Sequence, residues 1–160
     1  MSTRIARKCF LTSLALACLY APSAHAQECP ADSQLDYVCG PQRPEDLLTI
    51  PGTPWLVASG FSAGAGLKLV DTRSRSQRLW FTGAPEQVQP DPQRFPQCPG
   101  PPDPALLNLR GLALRDLGRE EGEGRWLLLA VNHGGRESIE AFIVSTADRG
   151  EPQLQWIGCQ

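Results

Sequence analysis

The sequence predicts an all-β fold made of four-stranded sheets, on three observations. Glycine (15) and proline (15) fill 30 of 160 positions, high for a globular domain yet below the low-complexity range. Apolar runs of five to eight residues recur between Pro, Gly and Asp clusters, the pattern of strands joined by turns. The chain also repeats itself: PEDLLTIPGTPWLVASG compares with LRGLALRD…GRWLLLAVNHG, and GLKLVDTRSRSQRLWF with IEAFIVSTADRGEPQLQWIG. Helix signals are weak, since Leu106–Leu109 is too short and Arg119–Arg125 is broken by Gly122 and Gly124.

Residues 1–26 read as a secretory signal peptide. Arg4, Arg7 and Lys8 form a positive start, Cys9 to Tyr20 an apolar run, and Ala24-His25-Ala26 a small-residue cleavage site before Gln27. The run is too short for a stable membrane span. Leu16-Ala17-Cys18 is lipobox-like, but Ala15 before it is a poor match. The reading is therefore a secreted or periplasmic chain, cleaved after Ala26.

A polar leader, 27–42, carries Cys29 and Cys39. The first strand set is Asp46–Ile50, ending at Pro51-Gly52; Pro54–Ser59, with proline at its tolerated first position; Gly66–Val70; and Gln77–Phe81. Thr82 to Ala105 holds eight prolines and reads as a loop without helix or central strand. The second set is Arg110–Arg115, Arg125–Asn132, Ser138–Val144, which alternates apolar with polar, and Gln153–Ile157. Trp55 and Trp126 open the second strand of each set. Tandem four-stranded units are the sequence sign of propeller blades, with an eight-stranded sandwich as the competing architecture.

The formal charge is −2, and removing residues 1–26 leaves 12 cationic against 17 acidic residues. An acidic chain has no basic face for nucleic acid. Four cysteines remain in the mature chain, Cys29, Cys39, Cys98 and Cys159, an even number that in an exported chain implies disulfides, with three pairings open. Zinc lacks its usual ligand set, because no C-x-x-C occurs and His133 is the single mature histidine. No nucleophile elbow, P-loop or dinucleotide fingerprint is present.

Two segments could carry chemistry. Glu45-Asp46 opens the first strand, where neighbouring side chains point opposite ways and could serve two cations. Asn132-His133-Gly134-Gly135-Arg136-Glu137 joins two strands, and His133 could act as a general base. The alternative is a turn in which Asn132 and His133 bond the backbone.

At these residues the chain resembles the paraoxonase/arylesterase-like propellers (gluconolactonase/strictosidine-synthase-like superfamily), in particular their exported bacterial branch. Arg43-Pro44-Glu45-Asp46-Leu47 followed by LVASG is similar to the first blade. Leu109-Arg110-Gly111-Leu112 with LLLAVNHGGRESIEAFIV is similar to the second, and CPGPP (Cys98–Pro102) and Trp156-Ile157-Gly158-Cys159 fit the bacterial branch. The resemblance implies a six-bladed propeller with calcium in its tunnel, hydrolysing small lactones and aryl esters. About two of six blades would be present: blade one 43–81, the proline-rich loop 82–105, and blade two 106–160. It further implies Glu45 as a ligand of the catalytic calcium, Asp46 and the Leu112 backbone carbonyl as ligands of a structural calcium, and His133 as the second histidine of a proton-relay dyad. Arg110 stands where the first histidine of that dyad falls, and arginine is no general base at neutral pH. Cys39 resembles the cysteine tying the family's N-terminal end to its last strand, leaving Cys29, Cys98 or Cys159 as candidate partners; Cys98–Cys159 is one option. The remaining ligands of later blades have no counterpart. The chain thus reads as an exported, truncated member with impaired hydrolysis, or as a non-catalytic β-module that binds a partner or assembles through open blade edges.

Overall fold

The computed structural model describes residues 34–118, 122–146 and 150–160. The segment read as a signal peptide, and Cys29, lie outside the described residues. Eight strands follow one another: β1 Pro44–Thr49, β2 Trp55–Gly60, β3 Leu67–Asp71, β4 Ser76–Leu79, β5 Leu109–Asp116, β6 Arg125–Asn132, β7 Ser138–Ser145 and β8 Gln153–Cys159. They form two antiparallel four-stranded meanders, β1-β2-β3-β4 (sheet 1) and β5-β6-β7-β8 (sheet 2). The strand runs read from the sequence coincide with these elements within a few residues. Short turns join the strands of sheet 1, and residues 80–108 link the two sheets. In the β3–β4 turn, the Arg73 N–H and Ser74 hydroxyl donate to the Asp71 carboxylate at 2.9 and 2.7 Å. These bonds, the Ser74 one foremost, hold the Asp71 carboxyl below the usual carboxylate range.

Both first strands carry the same irregularity. β1 pairs Pro44 with Gly60 and Leu47 with Ala58, so Glu45 and Asp46 together oppose Ser59. β5 pairs Leu109 with Asn132 and Leu112 with Ala130, so Arg110 and Gly111 together oppose Val131. A bulge of this kind re-aims side chains locally. Superposing the sheets on the bulges equates Val57 with Leu129 and Leu69 with Ala141, through the pairs Val57–Leu69 and Leu129–Ala141.

That equivalence fixes how the sheets stack. Val57, Leu67 and Leu69 of sheet 1, with Trp80 and Phe81 just past β4, share a core with Trp126, Leu128, Phe142, Leu154 and Trp156 of sheet 2. Leu129 and Ala141 belong instead to a second cluster on the far face of sheet 2, with Leu127, Ile143, Ile157, Phe95 and Leu117. The face that sheet 1 buries against sheet 2 is therefore equivalent to the outer face of sheet 2. The sheets stack front to back, as repeated layers do, and not with like faces together as two related halves of a sandwich would. Trp55 and Trp126 both reach the shared core, although Trp126 is the second residue of its strand and the bulge alignment equates Trp55 with Leu127.

β7 differs from the alternation read in its sequence. Glu140 through Val144 are all buried. Both faces of the strand are apolar because each is covered, one by sheet 1 and the other by its own cluster, and the single acid, Glu140, points into the core side. Residues 82–105 also depart from a plain loop. They hold a 3-10 turn at Pro85–Gln87, with proline at its start, where a missing N–H costs nothing. Beyond it, Gln89 N–H and Asp91 N–H donate to the Trp156 and Ile157 carbonyls at 2.9 and 2.7 Å, covering part of the β8 edge. The segment is pinned again by the Cys98–Cys159 disulfide, one of the pairings left open by the sequence. Phe95 lies on Gly158, where a Cβ would sit 2.3 Å from its ring, so only glycine fits beneath it. Cys39 is disulfide-bonded as well.

Candidate functional site

The bulges place the sequence-selected groups at the junction between β1 and β5. Ser59 accepts a hydrogen bond from Asp46 N–H at 3.0 Å, fixing the bulge from the β2 side. The bulge turns the Asp46 side chain toward sheet 2, where its Oδ2 accepts a hydrogen bond from Leu112 N–H at 2.8 Å. Its Oδ1 accepts one from Leu47 N–H at 2.8 Å. Asp46 and Leu112, paired by resemblance, are thus in contact, and the group of Leu112 that meets Asp46 is its N–H. Glu45 stands exposed beside them. Arg110, at the position equivalent to Glu45, lays its guanidinium over the Phe61 ring at 3.8 Å, a cation–π contact between the start of β5 and the residue just past β2. Its Nε is buried without a hydrogen-bond partner.

These donors fall short of calcium. The ion takes 6–8 oxygens. Here Asp46 spends both oxygens on backbone N–H groups, and no set of three or more His, Cys, Asp or Glu side chains converges among the described residues.

The β6–β7 loop is the second locus. Asn132 is fully buried and acts as its template. Its Oδ1 accepts from Asn108 N–H and Gly134 N–H at 3.2 and 2.9 Å, while its Nδ2 donates to the Gly134 and Arg136 carbonyls at 2.9 and 3.2 Å. Asn132 thus bonds the backbone of the turn, while the His133 ring meets a side chain. His133 N–H donates to the Asn108 carbonyl at 3.0 Å, and its Nδ1 lies 2.5 Å from Glu137 Oε2. His133 therefore has a carboxylate partner four residues on. Arg110, on the neighbouring strand, is engaged by Phe61.

Sequence reasoning missed the most buried charge. Glu140 is fully buried. Its carboxylate receives Arg136 Nε and a second Arg136 nitrogen at 2.8 and 2.9 Å, the Ser138 hydroxyl at 2.7 Å and Trp156 Nε1 at 2.8 Å. The remaining terminal nitrogen of Arg136 donates to the Gly100 carbonyl at 2.8 Å, tying in the proline-rich segment. The signal available was one acid inside an apolar strand with an arginine four residues earlier. Next to this network a cavity of about 530 Å³ opens, lined by Phe95, Cys98, Arg136, Glu137 and Ser138 among others. That volume is in the range of small-molecule sites.

No family model matches the chain, and no curated protein or solved structure is significantly similar to it. Among the described residues no helix is long and apolar enough to cross a membrane.

Proposed function

We propose that this chain is an exported, non-catalytic module of stacked β-sheets, whose polar groups serve to lock the stack. The observation that carries this reading is the use of the would-be reactive groups. Asp46 clamps β1 to β5, Asn132 spends its amide on a turn, Glu140 and Arg136 neutralise each other, and Arg110 covers Phe61. Export is supported by the leader pattern of residues 1–26 and by a disulfide between Cys98 and Cys159, a bond that persists in oxidising compartments. In sequence, the Arg43–Leu47 segment and the tandem four-strand units resemble the first blades of a lactonase/arylesterase-like propeller.

A hydrolase is the second reading, favoured by one observation: the His133–Glu137 pair at 2.5 Å beside a cavity that Glu137 lines. Turnover of phenyl acetate and of a γ-lactone by the purified chain, with calcium and with chelator, separates the two. The stacked-module reading predicts background rates in both. Calcium-dependent turnover that disappears in Glu45→Ala would overturn it.

A further inference from the structure

We infer that the Cys98–Cys159 disulfide is a thiol-exchange site, opened in the folded chain by a low-molecular-weight thiol, and that its opening releases the proline-rich segment from β8. The step uses neither His133 nor Glu45, so it stands apart from the choice between module and hydrolase.

Access comes first. Both half-cystines line the cavity of about 530 Å³, together with Phe95, Gln97, Pro99 and Ser138. A volume of that size admits a small molecule. Exchange requires a thiolate to reach a sulfur, and a bond sealed in a core is out of reach until the chain unfolds. Here the bond forms part of a cavity wall.

The two ends of the bond differ. Cys159 closes β8 and is 6% exposed, whereas Cys98 is only partly buried, on the irregular segment. The entering thiolate therefore attacks Cys98 Sγ. A bond forms between the entering sulfur and Cys98, the Cys98–Cys159 bond breaks, and Cys159 leaves as thiolate with the electron pair. A second thiolate then attacks the entering sulfur, and Cys98 leaves as thiolate. Two small thiols are oxidised to one disulfide, the cystine is reduced to two thiols, and the two protons pass from the entering thiols to the departing cysteines. Where the small disulfide prevails over the thiol, the same steps run backward and the bond closes.

Opening has a mechanical consequence. Cys98 belongs to no strand and Cys159 is the last residue of β8, so both four-stranded ladders persist without the bond. The segment loses its covalent tie and keeps point contacts, including Asp91 N–H to the Ile157 carbonyl, Phe95 on Gly158, and Arg136 to the Gly100 carbonyl. Phe95 matters most, because it also packs against the cluster of Leu127, Ala141, Ile143 and Ile157. Lifting the segment uncovers Gly158 and that cluster, so the disulfide sets whether this part of sheet 2 keeps its cover.

Reduced glutathione, added over a range of concentrations to the purified, oxidised chain under native conditions, tests this. Acid quenching, alkylation and peptide mass spectrometry follow the bond. The expected opening rate rises in proportion to thiol concentration, the mixed disulfide forms on Cys98, and far-UV circular dichroism is retained while protease cuts appear within residues 90–100. Gln97→Trp, which fills the cavity from an exposed position, should slow opening several-fold at unchanged melting temperature. Pro99→Trp does the same from another part of the wall if the first variant folds poorly. A rate independent of thiol concentration would mean that the bond opens only on unfolding and would overturn the inference. So would an adduct confined to Cys159, opening that neither tryptophan variant slows, or an opened chain whose segment resists protease as before.

Discussion

Asp46 Oδ2 accepts a hydrogen bond from Leu112 N–H at 2.8 Å, and these two residues belong to different sheets. The bond joins the bulge of one repeat to the residue just past the bulge of the next. Removing the carboxylate leaves the Leu112 N–H, on a part-buried edge, to find another acceptor. Asp46→Ala should lower stability by about 1.5–3 kcal/mol, the worth of a hydrogen bond to a charged group. Asp46→Asn, which keeps one carbonyl oxygen, should lose less. Denaturant titration of both variants checks the order.

The Arg136–Glu140 pair should behave differently from a surface ion pair. Glu140 is fully buried, and breaking a buried pair by removing one partner costs about 3–5 kcal/mol because the other charge is left unmatched. Arg136→Met alone should therefore be severely destabilising. Arg136→Met combined with Glu140→Leu should recover much of the loss, with Trp156 Nε1 then lacking its acceptor. A double-mutant cycle by thermal unfolding measures the coupling.

The Cys98–Cys159 bond closes a sequence separation of 61 residues. The chain-entropy model assigns such a loop about 4 kcal/mol of stabilisation. Cys98→Ser with Cys159→Ser should lower the melting temperature markedly. It should also increase protease sensitivity within residues 90–100, whose other ties include the Asp91–Ile157 bond, the Phe95 contact with Gly158 and the Arg136 bond to the Gly100 carbonyl. Limited proteolysis followed by mass spectrometry locates the cuts.

Lys68, on the outer face of sheet 1 between Ala58 and Leu79, has its pKa lowered by burial. The unfolded chain then holds this proton more tightly than the folded one, so the charged lysine opposes folding at neutral pH. Stability should rise with pH between the lowered value and the ordinary lysine value of about 10.4. Lys68→Met should be more stable than wild type at pH 7, and its advantage should shrink as pH approaches 10. Thermal unfolding of both proteins across that range tests the sign.

Much of the fold was legible because turn residues delimit the strands: Pro51-Gly52 and Gly134-Gly135 fall between elements, and Asp71-Thr72 marks the end of β3. The repeat was legible for the same reason. What composition hid was the environment of single positions. SIEAFIV looks amphipathic when read two residues at a time. Covering both faces buries Glu140 through Val144, and Glu140 is satisfied by Arg136 from a loop and Trp156 from the next strand. Glu45-Asp46 read as a cation site because neighbouring carboxylates on a strand diverge. The bulge sends Asp46 to a backbone N–H of the other sheet, a partner 66 residues away that no local pattern marks.

Asp46 Oδ2 holds the Leu112 N–H directly across the two repeats. Amide hydrogen exchange at Leu112, followed by NMR in chelator and then in calcium, probes that bond. Slow exchange is expected in both conditions, and fast exchange in Asp46→Ala. Fast exchange in chelator that becomes slow when calcium is added would contradict a direct bond.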